Sequence, residues 1–447
     1  FDQLNIIDII KQHGRIEKVE YDAGHCQRCS TCKWSHLWEI KSHRFARNCP
    51  SVFYGKYDAY AAQGKNDITT GLIKGELSWE ENKDKLLEVI YRCPVCAACD
   101  INCKRIMDLD IIGVLDALRE EACEKGYGPL PAHKEFIQSI MNYDNVWKQP
   151  RTRRANWAKK LGIKDLSKAG EKAEVLYYVG CTYAYKPGME TVPQAMAQVL
   201  KEAGIDFGIL GAKEVCCGGI ADNVGDKKTF EEIARKNLKM FEEVGAKTIV
   251  TNCPGCFMTF SEKYARIQKK DTKDLPYVVK HSTQFIEELI QQGKLKFKKP
   301  LNMQVTWHDP CHLGRRGEPY KHWEGKRIAF GLTDPPRELN RGVHGIYDSP
   351  RNILKAIPGV KLVEMERIRE YSWCCGSGGG AKSAYPDFAI ATAKERIEEA
   401  EATGAGTIAT ACPWCEANLN DGIDARGSKM KVRDIIDIVI EALDAKK

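Results

Sequence analysis

Nineteen cysteines dominate this 447-residue sequence, and their spacing sorts them by the chemistry they can do. Two adjacent pairs, Cys216-Cys217 in "VCCGG" and Cys374-Cys375 in "WCCGSGGG", run straight into glycine. A disulfide within either pair is a poor reading, because bridge geometry wants Cα atoms further apart than neighbours stand without strain. Adjacent thiolates can instead ligate different irons of one extended cluster. The glycines that follow, Gly218 in one case and Gly376 and Gly378 in the other, let main-chain N–H groups come close to sulfur. A phosphate-binding nest is the rival reading of "GSGGG", and the doublet directly before it argues against that.

A second type of spacing lies nearer the start. Cys26, Cys29 and Cys32 form "CQRCSTC" and are followed by Cys49-Pro50; Cys93, Cys96, Cys99 and Cys103 form "CPVCAACDINC". C-x2-C-x2-C-x3-C is the bacterial ferredoxin spacing, in which the fourth cysteine ligates the other cluster. On that logic Cys26, Cys29, Cys32 and Cys103 hold one [4Fe–4S] cube, and Cys93, Cys96, Cys99 and Cys49 hold the other. The first run departs from the pattern, with sixteen residues between Cys32 and Cys49. Zinc also takes four cysteines, but zinc ribbons use two separated C-x2-C pairs rather than a triple run.

The other cysteines fall into two matched sets: Cys181, Cys216, Cys217, Cys253 and Cys256, then Cys311, Cys374, Cys375, Cys412 and Cys415. Each reads single Cys, Cys-Cys-Gly, Cys-Pro-x-Cys. Only Cys123 is left over, and a buried, idle helix thiol is expected there. The sets lie in an internal repeat. "AEVLYYVGCTY" matches "NMQVTWHDPCH", "EVCCGG" matches "SWCCGSGGG", and "AKTIVTNCPGC" matches "AGTIATACPWC". The tails "HSTQFIEELIQQ" and "VRDIIDIVIEAL" both read as helices.

The elements that must position these residues alternate. Strands are expected at 174–179, 247–251, 303–307 and 406–410, and helices at 190–204, 228–245 and about 386–403. Strands alternating with helices imply small parallel-sheet α/β units. The single cysteine and the Cys-Pro-x-Cys pair of each copy fall just past strand C-termini, the edge where ligands collect in open α/β sheets. Each set of five is thus expected in one crevice, near helix N-termini that favour thiolate charge. The fold class expected is α/β plus α. Its parts are a helical two-cluster ferredoxin-like domain (1–143), a basic linker (144–172), and two duplicated modules at 173–299 and 300–447.

Composition narrows the classes. With 43% apolar and 29% charged residues the chain is globular, and no apolar run approaches membrane-spanning length. The start, "FDQLNIIDIIKQHG", is amphipathic without a signal-peptide layout and begins at Phe1, so some native N-terminus is expected to be missing. A cytoplasmic location follows, with any membrane association through a partner. Without an export signal, so many cysteines favour metal ligation over disulfides. A net charge of +7 is mild at this length and argues against nucleic acid. The basic stretch 147–172 reads as a solvated linker, or as a dock for an acidic partner.

On these motifs the sequence resembles the iron–sulfur components of heterodisulfide reductase. The first cysteine groups resemble the C subunit of that enzyme, the two "CCG domain" modules resemble its B subunit, and their presence on one chain resembles the fused form, the D subunit. The resemblance implies that each set of five ligates a non-cubane [4Fe–4S] cluster at which a disulfide is cleaved. One departure is the 62 residues between Cys311 and Cys374, against 34 in the first copy. The extra segment, about 315–350, is expected to be a lid or a docking loop.

Two functions compete. In one, two cubane clusters relay single electrons to two non-cubane clusters that reduce a disulfide. In the other, the chain is a pure conduit within a flavin-based bifurcating or aromatic-ring (benzoyl-CoA) reductase complex. A zinc scaffold is a third, weaker reading. No G-x-G-x-x-G follows a strand, so no flavin or nicotinamide site is expected on this chain. Electrons then come from a partner: a flavoprotein, such as one resembling the A subunit of heterodisulfide reductase, or a membrane cytochrome. The second module alone has His308 and His312 around Cys311, with Arg315 and Arg316 beside them. His308, His312 and Arg315 are placed to donate protons to a leaving thiolate or to hold an anionic substrate, or else to brace the cluster periphery. Trp34, Trp38, Trp373 and Trp414 are expected to shield clusters from water.

Overall fold

The computed structural model describes residues 15–35, 39–245, 247–328, 331–338 and 340–443. The amphipathic reading of the first fourteen residues and the shielding role expected of Trp38 lie outside them. Up to Tyr143 the described chain is helical, with its longer helices at Ala62–Ile73, Trp79–Tyr91, Ala98–Ile106, Ile111–Glu124 and Pro131–Tyr143. Their apolar faces meet in a core of Trp79, Leu86, Ile90, Val114, Leu115 and Leu118. Asp110 caps the fourth of these helices by accepting the Gly113 N–H at 3.1 Å.

Among the described residues eleven strands follow in chain order: β1 Lys164–Asp165, β2 Val175–Tyr178, β3 Phe207–Ile209, β4 Thr248–Thr251, β5 Val278–His281, β6 Met303–Trp307, β7 Lys326–Arg327, β8 Thr333–Asp334, β9 Val360–Leu362, β10 Thr407–Thr410 and β11 Lys431–Asp434. One sheet has the order β1-β3-β2-β4-β5 and another β11-β10-β6-β9, with β7 and β8 a small separate hairpin. All pairs in the two large sheets are parallel. Aligning β2, β3, β4 and β5 with β6, β9, β10 and β11 superposes the two orders, so the repeat read in the sequence is a repeat of topology. The central strands, "VLYY" and "TIAT", are buried on both faces, which is why they read as continuous runs rather than alternating ones.

Seven of these strands were not expected: β1, β3, β5, β7, β8, β9 and β11. Both tails read as helices begin as strands, since β5 and β11 precede the helices Ser282–Gln291 and Ile435–Leu443. The two sheets also share one core. Tyr177 and Val250 of the first and Val305 and Trp307 of the second belong to a single apolar cluster. Helices Thr191–Glu202 and Ile435–Leu443 pack together within it.

Two connecting segments differ from expectation. The basic stretch 147–172 is not solvated throughout, for Arg154 and Trp157 are buried. Arg154 pairs with Glu214 at 2.6 Å and Trp157 meets the Tyr177 ring edge-on. The insertion after Cys311 docks on the chain's own N-terminal helices. Arg327 lies 3.8 Å from the Tyr21 ring centre and bonds Asp22 at 3.0 Å, while Arg337 pairs with Asp110 and Arg341 with Asp108.

Candidate metal centres

The two triple-cysteine runs share an unusual backbone. Arg28 and Ser30 in the first, and Val95 and Ala97 in the second, have φ between 50° and 67°. They occupy the same positions of their runs, on either side of the middle cysteine. Each such residue costs roughly 1–2 kcal/mol, which is tolerated where the surroundings over-determine it. Alternating backbone of this kind turns successive N–H groups toward one concavity, an arrangement that receives anions.

Cys49, Cys93, Cys96 and Cys99 line one small cavity with Pro50, Pro94, Ile111 and Leu115. Burial, with Cys93 and Cys96 close by, pushes the Cys49 thiol up to about 12. Cys103 lies instead beside Cys26 and Cys29, and its thiol is raised to about 12 by burial first and by Asp100 next. Cys32 packs in the same cluster. Thiols this reluctant to ionise are held as thiolates only by an electropositive partner, as a metal supplies. Serine at Cys103 should therefore remove any metal-centre signal that depends on Cys26, Cys29 and Cys32 and spare one that depends on the Cys93 group. Loss of the latter signal alone would contradict this grouping.

In each module five sulfurs stand as one chain of mutually interacting neighbours in the same order. The first runs Cys181–Cys216–Cys217–Cys256–Cys253, and the second Cys311–Cys374–Cys375–Cys415–Cys412. The doublet stands at the middle of both. Cys181 and Cys311 follow β2 and β6, while Cys253 and Cys412 cap the helices after β4 and β10, each with proline next. The Gly218 N–H donates to Cys216 Sγ at 3.4 Å and the Gly376 N–H to Cys374 Sγ at 3.3 Å. Gly376 has φ 93°, and a Cβ there would collide with Ala389 O. Gly378 has another use, for a Cβ there would strike Pro94 O of the N-terminal region.

The modules differ in what surrounds the sulfurs. In the first, both terminal nitrogens of Arg154 point at Cys181 Sγ, at 3.6 and 3.7 Å, while Glu214 anchors the guanidinium. In the second, His308 accepts from Arg396 Nε at 3.1 Å and lies within 4.8 Å of the Cys375 and Cys415 ligand atoms. Burial first, with the Arg396 charge opposing protonation, holds this imidazole below its ordinary value.

A cavity of about 410 Å³ opens between the modules, and every CCG cysteine except Cys374 lines it. Cys374 instead packs against Cys96 of the N-terminal region. Trp147 and Trp414, stacked with ring centres 5.8 Å apart, form one wall. His312 lines the cavity, and burial and the Arg316 charge hold its ring neutral. His308 and Arg315 do not line it. Lys382, which no sequence motif marks, does, paired with Asp421 at 2.5 Å. Trp373 is buried with its indole N–H on Thr392 O, whereas Trp34 is 48% exposed.

None of the nineteen cysteines is in a disulfide. Five sulfurs per crevice exceed what tetrahedral zinc takes. Buried thiols, N–H groups directed at sulfur and concave αL-rich runs all suit anionic iron–sulfur clusters. The family described as a cysteine-rich domain, CCG, matches residues 175–261 and 338–420. Over 436 residues, 96% of this chain and 95% of the relative, the sequence is 32% identical to the D subunit of dihydromethanophenazine:CoB--CoM heterodisulfide reductase from Methanosarcina mazei. The chain belongs to the family of heterodisulfide reductase D subunits. As a member of that family it is an iron–sulfur electron-transfer protein of the oxidoreductase class. Similarity extends to the EtfAB:quinone oxidoreductase of Syntrophomonas wolfei, 28% identical over 80% of this chain and 47% of that one. It extends also to the B subunit of fumarate reductase (CoM/CoB) from Methanothermobacter marburgensis, 29% identical over 79% and 61%. Members of this group are parts of larger redox complexes, and this chain likewise works with redox partners. No helix among the described residues is long and apolar enough to cross a membrane.

Proposed function

We propose that this chain reduces a disulfide in the cavity between its two CCG modules, using electrons from a partner. The observation that carries this is the cavity itself, into which nine cysteines from both modules converge. The clusters would supply one-electron steps: cubane [4Fe–4S] centres at Cys26, Cys29, Cys32, Cys103 and at Cys49, Cys93, Cys96, Cys99, and non-cubane ones at the two sets of five.

The balance is simple. One S–S bond breaks, two electrons arrive from the partner, and two protons convert the products to thiols. The chain's own residues would set the stage. Trp147 and Trp414 keep the wall dry, which strengthens every charge interaction inside. The Lys382 ammonium faces the negative charge that develops on a departing sulfur, and the neutral His312 ring offers it a hydrogen bond. His308 acts from behind, fixing Cys375. The parts are a two-cluster ferredoxin-like region (1–143), a connector (144–172) and two modules (173–299 and 300–447). The donor is a flavoprotein, one resembling the A subunit of heterodisulfide reductase included, or a membrane cytochrome, which would hold the chain at the cytoplasmic face of a membrane.

Lys382→Met should lower disulfide turnover about tenfold to a hundredfold with iron retained, the worth of a charge-assisted hydrogen bond. The assay is reduction of a disulfide by the intact native complex with a reduced artificial donor. No disulfide turnover in the parent complex, with all clusters filled and reducible, would leave the chain a conduit without a small substrate.

A further inference from the structure

Two buried arginines stand where the three parts of the chain meet, and among the described residues neither pairs with a carboxylate. Arg119 is completely buried. Its Nη2 donates to Ile90 O and Cys93 O, both at 2.8 Å, and its Nη1 to Asn223 O at 2.6 Å and Gly379 O at 3.0 Å. One side chain thus ties the Cys93 run to both CCG modules. Arg315 donates from Nε to Cys96 O at 2.5 Å and from Nη1 to Glu370 O at 2.9 Å and Ser372 O at 2.6 Å. Its positive charge also acts on the Cys96 sulfur. Ser372 leads into Cys374, which packs against Cys96.

Elsewhere, deeply buried guanidiniums have carboxylates. Arg154 has Glu214, Arg351 has Asp309, and Arg367 and Arg396 share Glu399. A buried cation bonded mainly to carbonyls is unfavourable until a negative charge completes it. The negative groups closest to completing both are cysteine thiolates: Cys93 beside Arg119, and Cys96, Cys311 and Cys374 beside Arg315.

We propose that Arg119 and Arg315 are positioning residues for electron transfer between the Cys49–Cys93–Cys96–Cys99 site and the second CCG site. They clamp Cys96 against Cys374 and supply positive charge that makes the four-cysteine site easier to reduce. This rests on the iron–sulfur reading of that site given above. Net charge and hydrogen bonds to sulfur are what set the potential of such a centre. Removing a nearby cation makes adding an electron harder, so its midpoint potential falls.

The test uses the full chain, purified without oxygen in its native complex. The signal to follow is the four-iron signal that Cys99→Ser removes, titrated against potential in Arg315→Gln, Arg119→Gln and Arg315→Lys. Arg315→Gln should keep its iron and shift that midpoint downward, while the signal removed by Cys103→Ser moves less. Arg315→Lys keeps the charge without spanning three carbonyls. It should hold the parental midpoint yet slow the passage of electrons to the CCG sites. Should Arg315→Gln fail to load iron, Arg119→Gln probes the other side of the same loop, and Arg315→Lys must still load at the parental midpoint. An unchanged midpoint in the glutamine variants, or a lysine variant as low as glutamine, overturns the inference alone. A parent chain with no four-iron signal sensitive to Cys99→Ser overturns the site reading and the inference with it.

Discussion

Alanine at Glu399 should destabilise the protein by about 3–5 kcal/mol, the cost of leaving buried charge without its partner. Glu399 is buried and receives Arg396 Nη1 at 2.7 Å, Arg367 Nε at 3.1 Å and the Arg367 backbone N–H at 2.6 Å. Its loss leaves Arg396 without a carboxylate and Arg367 with Glu395 alone, and Arg396 is the group that bonds His308. Burial would raise the Glu399 carboxyl, but Arg396 and Arg367 outweigh it and hold it below the usual range. A carboxylate lowered in the folded state contributes stability above its unfolded value, about 4.3. That contribution is lost as pH falls through the folded value. The gap between parent and Glu399→Gln in chemical denaturation should therefore narrow as pH is taken from 7 down through the carboxylate range. A gap independent of pH, or a change below about 1 kcal/mol at pH 7, would show that the network bears little load.

Serine at Cys375 should have the largest effect on chemistry. A fully loaded chain is expected to hold about sixteen irons, four for each of four clusters. The variant should hold about four fewer and lose disulfide turnover altogether. Cys375 is central to its sulfur chain, with Cys374, Cys415 and His308 as its neighbours. Serine at Cys123 is the control. That thiol donates to Val224 O at 3.3 Å, far along the chain, and belongs to neither pattern, so iron and turnover should both hold. Parental iron in Cys375→Ser would remove this cysteine from the ligand set, and a parent with about eight irons would leave the CCG crevices without clusters.

Much of this organisation is legible in the sequence because cysteine spacing is local and the repeat supplies a second copy. The central strands and long helices read to within a few residues, since buried parallel strands and amphipathic helices announce themselves over windows of that length. β3 and β9 do not, because three residues show no period, and β11, "KVRD", looks polar because it lies at a sheet edge. The residues that tie distant parts together leave no local trace. Arg119 sits in an ordinary helical stretch, Arg154 in a run of basic residues that reads as solvated, and Lys382 just beyond the glycines. What they do is defined by carbonyls, carboxylates and sulfurs far away in the chain. Arg315 stands out for its charge beside Cys311, but only the folded backbone shows its donors turned to Cys96, Glu370 and Ser372.

The apolar cluster common to both sheets has a consequence for how the molecule comes apart. Because Tyr177 and Val250 pack in one body with Val305 and Trp307, part of each copy's interior is completed only by the other, although each also has a cluster of its own. The duplicated halves should melt together in a single calorimetric transition rather than in sequence. A chain cut between them, near residue 299, would present each half's greasy side to water, a surface of the kind that drives aggregation. The two copies are therefore obligate companions. The crevice they enclose keeps its shape because opening it by a hinge would mean tearing a shared interior, so small molecules must reach it by diffusing in rather than by waiting for the halves to part.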